Sequence, residues 1–454
     1  MLLNFFAERF GAGAFVGEKL WLGHTGHFLI VFSFAAALLA FLAYFAAEFS
    51  TQQQNKKQWT NIGRWSFGAH STAVFGVFVL LFIMILNHMF EYHYAWRHSS
   101  TELPMKYIIS SFWEGQEGSF LLWMFWIATL GMVGIFTLKN YEQPVMGIVA
   151  ITQVFLGTMV LGIYVFGHKI GSSPFILLRN EMLDAPIFQR PNYLDFIKDG
   201  NGLNPLLQNY WMTIHPPVLF LGFASVTMPF AFAVASLLRK DWDGWVKAAF
   251  PWTLFSVAIL GTGILMGGAW AYESLSVGGL WAWDPVENAS FIPWLTATAY
   301  IHSVLVQERR GMLRVWNLSL LISTFSLTIL GTFLTRSGIL NSVHAFSDSD
   351  IGPFLLTFFA IIVVVSVALI GWRGDKLRAP GTIDSPLSRE GAFLANNVIF
   401  SVFAFVVLLG TVFPLIIEAL QNRQLVVGEP FFDKLAVPVG LTLLFLMCIA
   451  PVLP

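Results

Sequence analysis

The chain contains one cysteine, Cys448, placed in an apolar run. A lone cysteine excludes an internal disulfide and any CxxC or thiolate-cluster chemistry carried by the chain itself. Charge is scarce as well: 11% of residues are Asp, Glu, Lys or Arg, and the net charge is −1. That balance offers no basic footprint for nucleic acid and no cationic surface for attachment to anionic lipid. The N-terminus lacks a basic region followed by a short apolar segment and a small-residue cleavage site, so the first apolar span is expected to serve as the insertion signal. Apolar surface is what abounds. Hydrophobic residues make up 56%, with 45 Phe and 17 Trp, more than an ordinary soluble core absorbs, and the composition predicts an all-α polytopic transmembrane protein.

Eleven apolar stretches reach spanning length, at about 28–47, 70–90, 119–138, 145–165, 214–238, 249–270, 289–308, 315–334, 353–371, 393–416 and 433–454. They predict a multi-helix bundle forming a single transmembrane domain over 1–454. Residues 1–27 are expected to lie along the interface, and 168–213 form a long insertion rich in Asn, Pro and Asp, hence irregular. Lysine and arginine collect in the short loops after spans five, seven and nine: Arg239, Lys240 and Lys247; Arg309, Arg310 and Arg314; Arg373, Lys376 and Arg378. The positive-inside rule puts these loops in the cytoplasm. The loop after span six has no Lys or Arg and faces out. The chain stops at Pro454 inside an apparent apolar helix, which suggests the front portion of something longer or one half of a split protein.

That outward loop, 268–291, carries Trp270, Trp281 and Trp283 among glycines, with Glu273, Asp284 and Glu287 beside them. Glycine-spaced tryptophans suit an interfacial belt or one wall of a site for a large planar ligand. Asp284 stands directly before Pro285 and three residues before Glu287, a pattern read first as a helix cap. On the same face lie the acidic turn Trp113 to Ser119, and Arg336 at the start of the loop to His344; Arg336 can meet an anionic group such as a propionate.

Of ten histidines, three stand apart. His302 is some 13 residues into span seven, and an ionisable side chain at that depth is either a buried hydrogen-bonding group or a ligand. His215 precedes Pro216 and Pro217, which suit a helix's first turn, so it is expected at a rigid helix entrance facing outward. His344 occupies another outward loop. Two neutral imidazoles on opposite sides of a macrocycle form a haem ligation scheme; two surface histidines that never meet are the plain alternative. A third account makes the chain an ion-translocating subunit with His302 in a proton path.

The run from Gly278 to Phe291, with Trp281-Ala282-Trp283-Asp284-Pro285, resembles the WWD haem-handling motif of cytochrome c assembly proteins. The chain resembles the CcmF/NrfE branch, the membrane component of bacterial cytochrome c haem lyase. Further matches fall in the family's order: Thr101 to Pro104, Glu117 to Ser119, Leu203 to Leu207, His215 to Pro217, His302-Ser303, Gly331 to Leu334, Arg336 to Gly338, Ser342 to Phe346 and Gly428 to Phe432. The CcsA-type branch shares the tryptophan motif without this many spans.

The resemblance implies that His215 and His344 ligate a haem awaiting transfer, beneath a loop presenting Trp270, Trp281, Trp283 and Asp284. It implies that His302 is one axial ligand of an intramembrane haem b, whose other ligand lies in a later helix beyond the segment matched here. It also implies a bacterial inner-membrane location, a haem-loaded periplasmic chaperone, an apocytochrome c with a CxxCH segment, thiol-handling assembly subunits and a quinol. The activity implied is thioether formation between haem and the CxxCH cysteines. The alternative is a non-catalytic transporter or scaffold that only delivers haem.

Overall fold

The computed structural model describes residues 15–165, 168–274, 279–337, 351–377, 385, 388–423 and 425–453. Twelve long helices dominate: α1 (Leu20–Phe49), α2 (Gln53–Leu86), α3 (Gln116–Thr137), α4 (Glu142–Leu161), α5 (Tyr210–Ser225), α6 (Thr227–Arg239), α7 (Gly244–Ser274), α8 (Pro285–Arg310), α9 (Arg314–Arg336), α10 (Gly352–Leu377), α11 (Arg389–Gln421) and α12 (Glu429–Ile449). With α5 and α6 running on as one stretch, they make eleven segments among the described residues that are long and apolar enough to cross a membrane. The protein is an all-α polytopic bundle, as composition predicts. A two-stranded ribbon, Ile163–Val165 against His168–Ile170, is the one sheet among the described residues.

Two boundaries differ from the sequence reading in ways that matter. Leu20 to His27 is helical and continuous with the first apolar span, in α1; residues 1–14 lie outside the described residues. Helix α2 begins at Gln53, so His70 is not near a helix end but in its middle, fully buried, with Nδ1 2.9 Å from the Ser33 carbonyl of α1. The insertion between α4 and α5 is irregular, as its composition implies, with short helical turns at Leu178–Glu181, Pro186–Gln189, Tyr193–Phe196 and Pro205–Leu207.

Paired charges hold the two faces. At the face where Lys and Arg collect, Arg64 Nη2 lies 2.6 Å from Glu142 Oε2 and Arg239 Nε lies 2.6 Å from Glu48 Oε1, tying α2 to α4 and α6 to α1. At the other face, Arg179 Nε donates to Glu18 at 2.7 Å and Tyr193 Oη to the same carboxylate at 2.9 Å, so the insertion is fastened to the start of α1. Of these only Arg179–Glu18 is desolvated on both sides, and removing one of its partners leaves a buried charge, a cost of roughly 3–5 kcal/mol. Helix α4 is the most enclosed of the spans, while α10 and α12 lie mostly at the periphery.

Candidate haem-handling site

The antiparallel crossing of α5 and α7 is built from three successive layers. A Cβ on Gly222 would stand 2.8 Å from Leu260 Cα, and one on Gly263 2.9 Å from Leu219 Cα, so only glycine permits this approach. One turn further along both helices the layer is His215 on Gly267, where a Cβ would fall 2.9 Å from His215 Cε1. His215 is seated by a missing side chain. It does not stand at the helix entrance: α5 starts at Tyr210, capped by Asn209, whose Oδ1 accepts the Trp211 amide at 2.9 Å. Pro216 and Pro217 sit inside the helix, and the Met212 carbonyl that Pro216 cannot bond accepts Trp113 Nε1 at 2.8 Å. The acidic turn Trp113 to Ser119 thereby steadies the helix segment that carries His215.

His215 lines a cleft of about 670 Å³, open to solvent at this face. Leu206 and Leu207 roof it, Ile264, Trp270 and Ala271 come from α7, and Trp281, Val286 and Glu287 close the third side. The Trp270 ring meets the His215 imidazole edge-on at 5.7 Å. The leucines were legible only as part of the Leu203 to Leu207 match; Gly267 and Ile264 carried no signal of their own.

The tryptophan stretch is only in part a loop. Gly267 to Ser274 forms the last two turns of α7, and Pro285 opens α8; residues 275–278 lie outside the described residues. Poor helix propensity at the glycines yields to packing, because the glycines are what lets α5 lie against α7. Trp211 Nε1 donates to Glu273 at 2.8 Å and Asn209 Nδ2 to Ser274 Oγ at 2.6 Å, which fixes the end of α7 to the start of α5.

Trp281 faces the cleft, whereas Trp283 turns away. Its ring stacks on Phe432 at 5.1 Å and 12°, and its Nε1 donates to Asp433 at 2.8 Å. Its φ of +56° is a strained setting for a non-glycine residue, maintained by these contacts with α12. Asp284 is the N-cap of α8 in a capping box: Asp284 Oδ1 accepts the Val286 amide at 2.9 Å, and Glu287 Oε2 accepts the amides of Ala282 at 2.9 Å and Asp284 at 3.2 Å. Neither Trp283 nor Asp284 is among the residues that line the cleft; they set the loop that presents Trp281.

His302 occupies a different place, roughly 26 Å along α8 from Pro285 and about 12 Å from its other end. Its Nδ1 lies 2.8 Å from the Thr298 carbonyl, which makes Nδ1 the donor and leaves Nε2 as the nitrogen open to a ligand. Phe400 and Phe393 of α11 stand 5.5 and 6.1 Å from the ring. Arg336 ends α9 against the first turn of α3, where Nη2 lies 3.2 Å from Ser119 Oγ, and it does not line the cleft. His344 lies outside the described residues. Of the other histidines, His98 Nδ1 pairs with Glu114 at 2.7 Å, and burial lowers the pKa of His93. Among the described residues no three His, Cys, Asp or Glu side chains gather as a metal-ion site.

Residues 113–340 match the family model for cytochrome C assembly protein, and these bounds enclose His215, Trp270, Trp281 and His302. The chain belongs to the cytochrome C assembly protein family. It is 40% identical to the cytochrome c-type biogenesis protein CcmF of Escherichia coli (strain K12), over 80% of this chain and 54% of that protein. It is 39% identical to CycK of Rhizobium meliloti (strain 1021), over 82% of this chain and 52% of the relative. A solved structure, "Cytochrome c Heme Lyase CcmF", superposes with a TM-score of 0.75 at 29% identity, covering 95% of this chain and 62% of that one. Within the family these similarities place the chain in the CcmF/NrfE branch. It spans about half the length of the curated relatives it matches.

Proposed function

We propose that this chain is the haem-handling membrane subunit of a cytochrome c haem lyase in a bacterial inner membrane, with the cleft on the periplasmic side. The observation that carries this reading is His215, seated on Gly267 and walled by Trp270 and Trp281 in a cleft open at one membrane face. The clustering of Lys and Arg at the opposite face supports the orientation.

In this reading the substrates are a haem, brought by a periplasmic chaperone, and an apocytochrome CxxCH segment kept reduced by thiol-handling subunits. His215 supplies one axial ligand to the haem, with His344 of the 338–350 segment as its counterpart. Trp270 and Trp281 supply aromatic faces for the ring, excluding water and leaving one edge toward the peptide. Each cysteine S–H then adds across a vinyl group: the sulfur bonds to one vinyl carbon and the hydrogen goes to the other, without net oxidation. Holding the ring converts a bimolecular encounter into a positioned reaction. The chain's only cysteine is Cys448, on α12, so the cleft holds no competing thiol.

His302 fits one side of a resident haem b: Nε2 is open to a ligand, the Thr298 carbonyl fixes the ring, and Phe393 and Phe400 form apolar walls. That haem would supply one-electron reducing equivalents, drawn from a quinol, to keep transferred iron ferrous. The test is the chain with its native assembly subunits, given haem-loaded chaperone and a CxxCH peptide. A covalent haem–peptide product lost in His215→Ala is expected; product formation indifferent to His215→Ala and Trp281→Ala would overturn the reading. Bound haem that never becomes covalent would assign the chain to delivery rather than bond formation.

A further inference from the structure

His302 shares its depth with a buried asparagine on the neighbouring helix. Helices α8 and α11 pack antiparallel, and Asn397 stands about 12 Å along α11 from Arg389, as far as His302 stands from Arg310 on α8. Asn397 is fully buried, and both ends of its amide are engaged outside its own helix. Nδ2 donates to the Ala299 carbonyl of α8 at 2.6 Å, and Oδ1 accepts Trp316 Nε1 of α9. One side chain joins three helices.

The neighbours of Asn397 give this joint its meaning. Phe393 and Phe400 lie four residues before it and three after it, on one face of α11, and they are the two rings beside His302. Ala299 lies three residues before His302 on α8, again on one face. The clamp is therefore within a turn of the histidine on both helices. A second buried tie, from Asn288 Nδ2 to Thr411 Oγ1 at 3.0 Å, stands about 21 Å further along α11, at the tryptophan end of α8. Between the two ties the contact is apolar, with Ile292 and Leu295 near Phe403, Ala404 and Val407. Apolar packing of this kind has no direction. A slip of α11 by one residue moves its face by about 1.5 Å and turns it by about 100°, which the amide bonds forbid.

We propose that Asn397 is a positioning residue for the His302 site: its bonds to the Ala299 carbonyl and to Trp316 set the register of α11, so that Phe393 and Phe400 stand against the imidazole. Interhelical amide bonds at membrane depth add little to stability, and what they fix is geometry. The apolar shell beside a ligating histidine sets solvent access and the potential of what it ligates. The importance given to His302 rests on the reading of a resident haem above; the placing of its walls by Asn397 does not.

The experiment uses the full chain with its native assembly subunits, first free of haem and then loaded. In the haem-free protein, diethylpyrocarbonate modifies accessible imidazole nitrogens, and mass spectrometry reads the rate at His302. Asn397→Leu keeps the volume and removes both bonds, and should raise that rate about threefold to tenfold, the range set by a hydrogen bond. Thr411→Val, which removes the other buried tie, should leave the rate unchanged. In the loaded protein Asn397→Leu should shift the midpoint potential of the haem at His302, again with no effect of Thr411→Val. An unchanged rate or an unmoved potential in Asn397→Leu, or the same response in Thr411→Val, would overturn the proposal. Should Asn397→Leu fail to assemble, Trp316→Phe, which frees the amide from α9 alone, decides: faster modification is expected, and indifference overturns it. A wild type that takes up no haem at His302 would sink the reading of a resident haem, while the modification rates would still decide the role of Asn397.

Discussion

His215 and His302 are held by opposite means. His215 is placed by shape: a glycine under the imidazole, a tryptophan at its edge, and a cleft open to solvent. His302 is placed by a hydrogen bond, with Nδ1 on the Thr298 carbonyl of its own helix and phenylalanines beside it. A fixed tautomer in an apolar, membrane-depth setting suits a ligand that stays. A packing-held ring at an open cleft suits a ligand that comes and goes. Under the proposed function the first region serves the transferred haem and the second the resident one.

The largest expected effect breaks one side only. His302→Ala should abolish a resident b-type spectrum while leaving haem capture at the cleft, as read by haem counted per chain. Gly267→Val is the converse. Its side chain enters the space of the imidazole, an overpacking cost of roughly 1–3 kcal/mol, and should lower haem capture at the cleft by tenfold or more with the His302 spectrum intact. Equal loss of both haem signals in either variant would dissolve the distinction between the two regions.

A smaller effect sharpens the role of Asp284. If it acts as the α8 cap, Asp284→Asn retains function and stability, because Asn caps as well as Asp, while Asp284→Ala loses about 1 kcal/mol. Thermal unfolding and haem transfer should move together across the two variants. Loss of transfer in Asp284→Asn at unchanged stability would return the carboxylate to the chemistry. An effect of the same size, about 1 kcal/mol, is expected from Trp283→Phe, which keeps stacking on Phe432 but removes the exposed hydrogen bond to Asp433. Trp281→Phe should instead lower haem affinity without a comparable change in stability.

The spans were legible because twenty-residue apolar runs leave few alternatives, and the Asp284–Glu287 cap was legible because its residues act within one turn. The ends of α7 and α5 were not. Gly267 to Ser274 looks like loop by propensity, yet close packing on α5 makes it helix; Pro216 and Pro217 look like a first turn, yet a tryptophan a hundred residues earlier bonds the carbonyl they leave open. Trp281 and Trp283 are two residues apart and alike in the sequence, and only Phe432 and Asp433 on α12 decide that one faces the cleft and the other does not. The place of His70 has a related cause: α2 extends well before the apolar run that starts at 70, so this histidine is central in its helix and buried. In each case the deciding partner lies on another element, which no local pattern contains.

The central claim is that His215 holds a haem at the outer cleft, distinct from one at His302. The most direct measurement is haem content per chain with reduced-minus-oxidised spectra for the wild type, His215→Ala and His302→Ala, each with its native assembly subunits and haem-loaded chaperone. The account predicts that each variant loses a different spectral component and keeps the other. A wild type without haem, or a His215→Ala variant with unchanged haem content and spectrum, would contradict it.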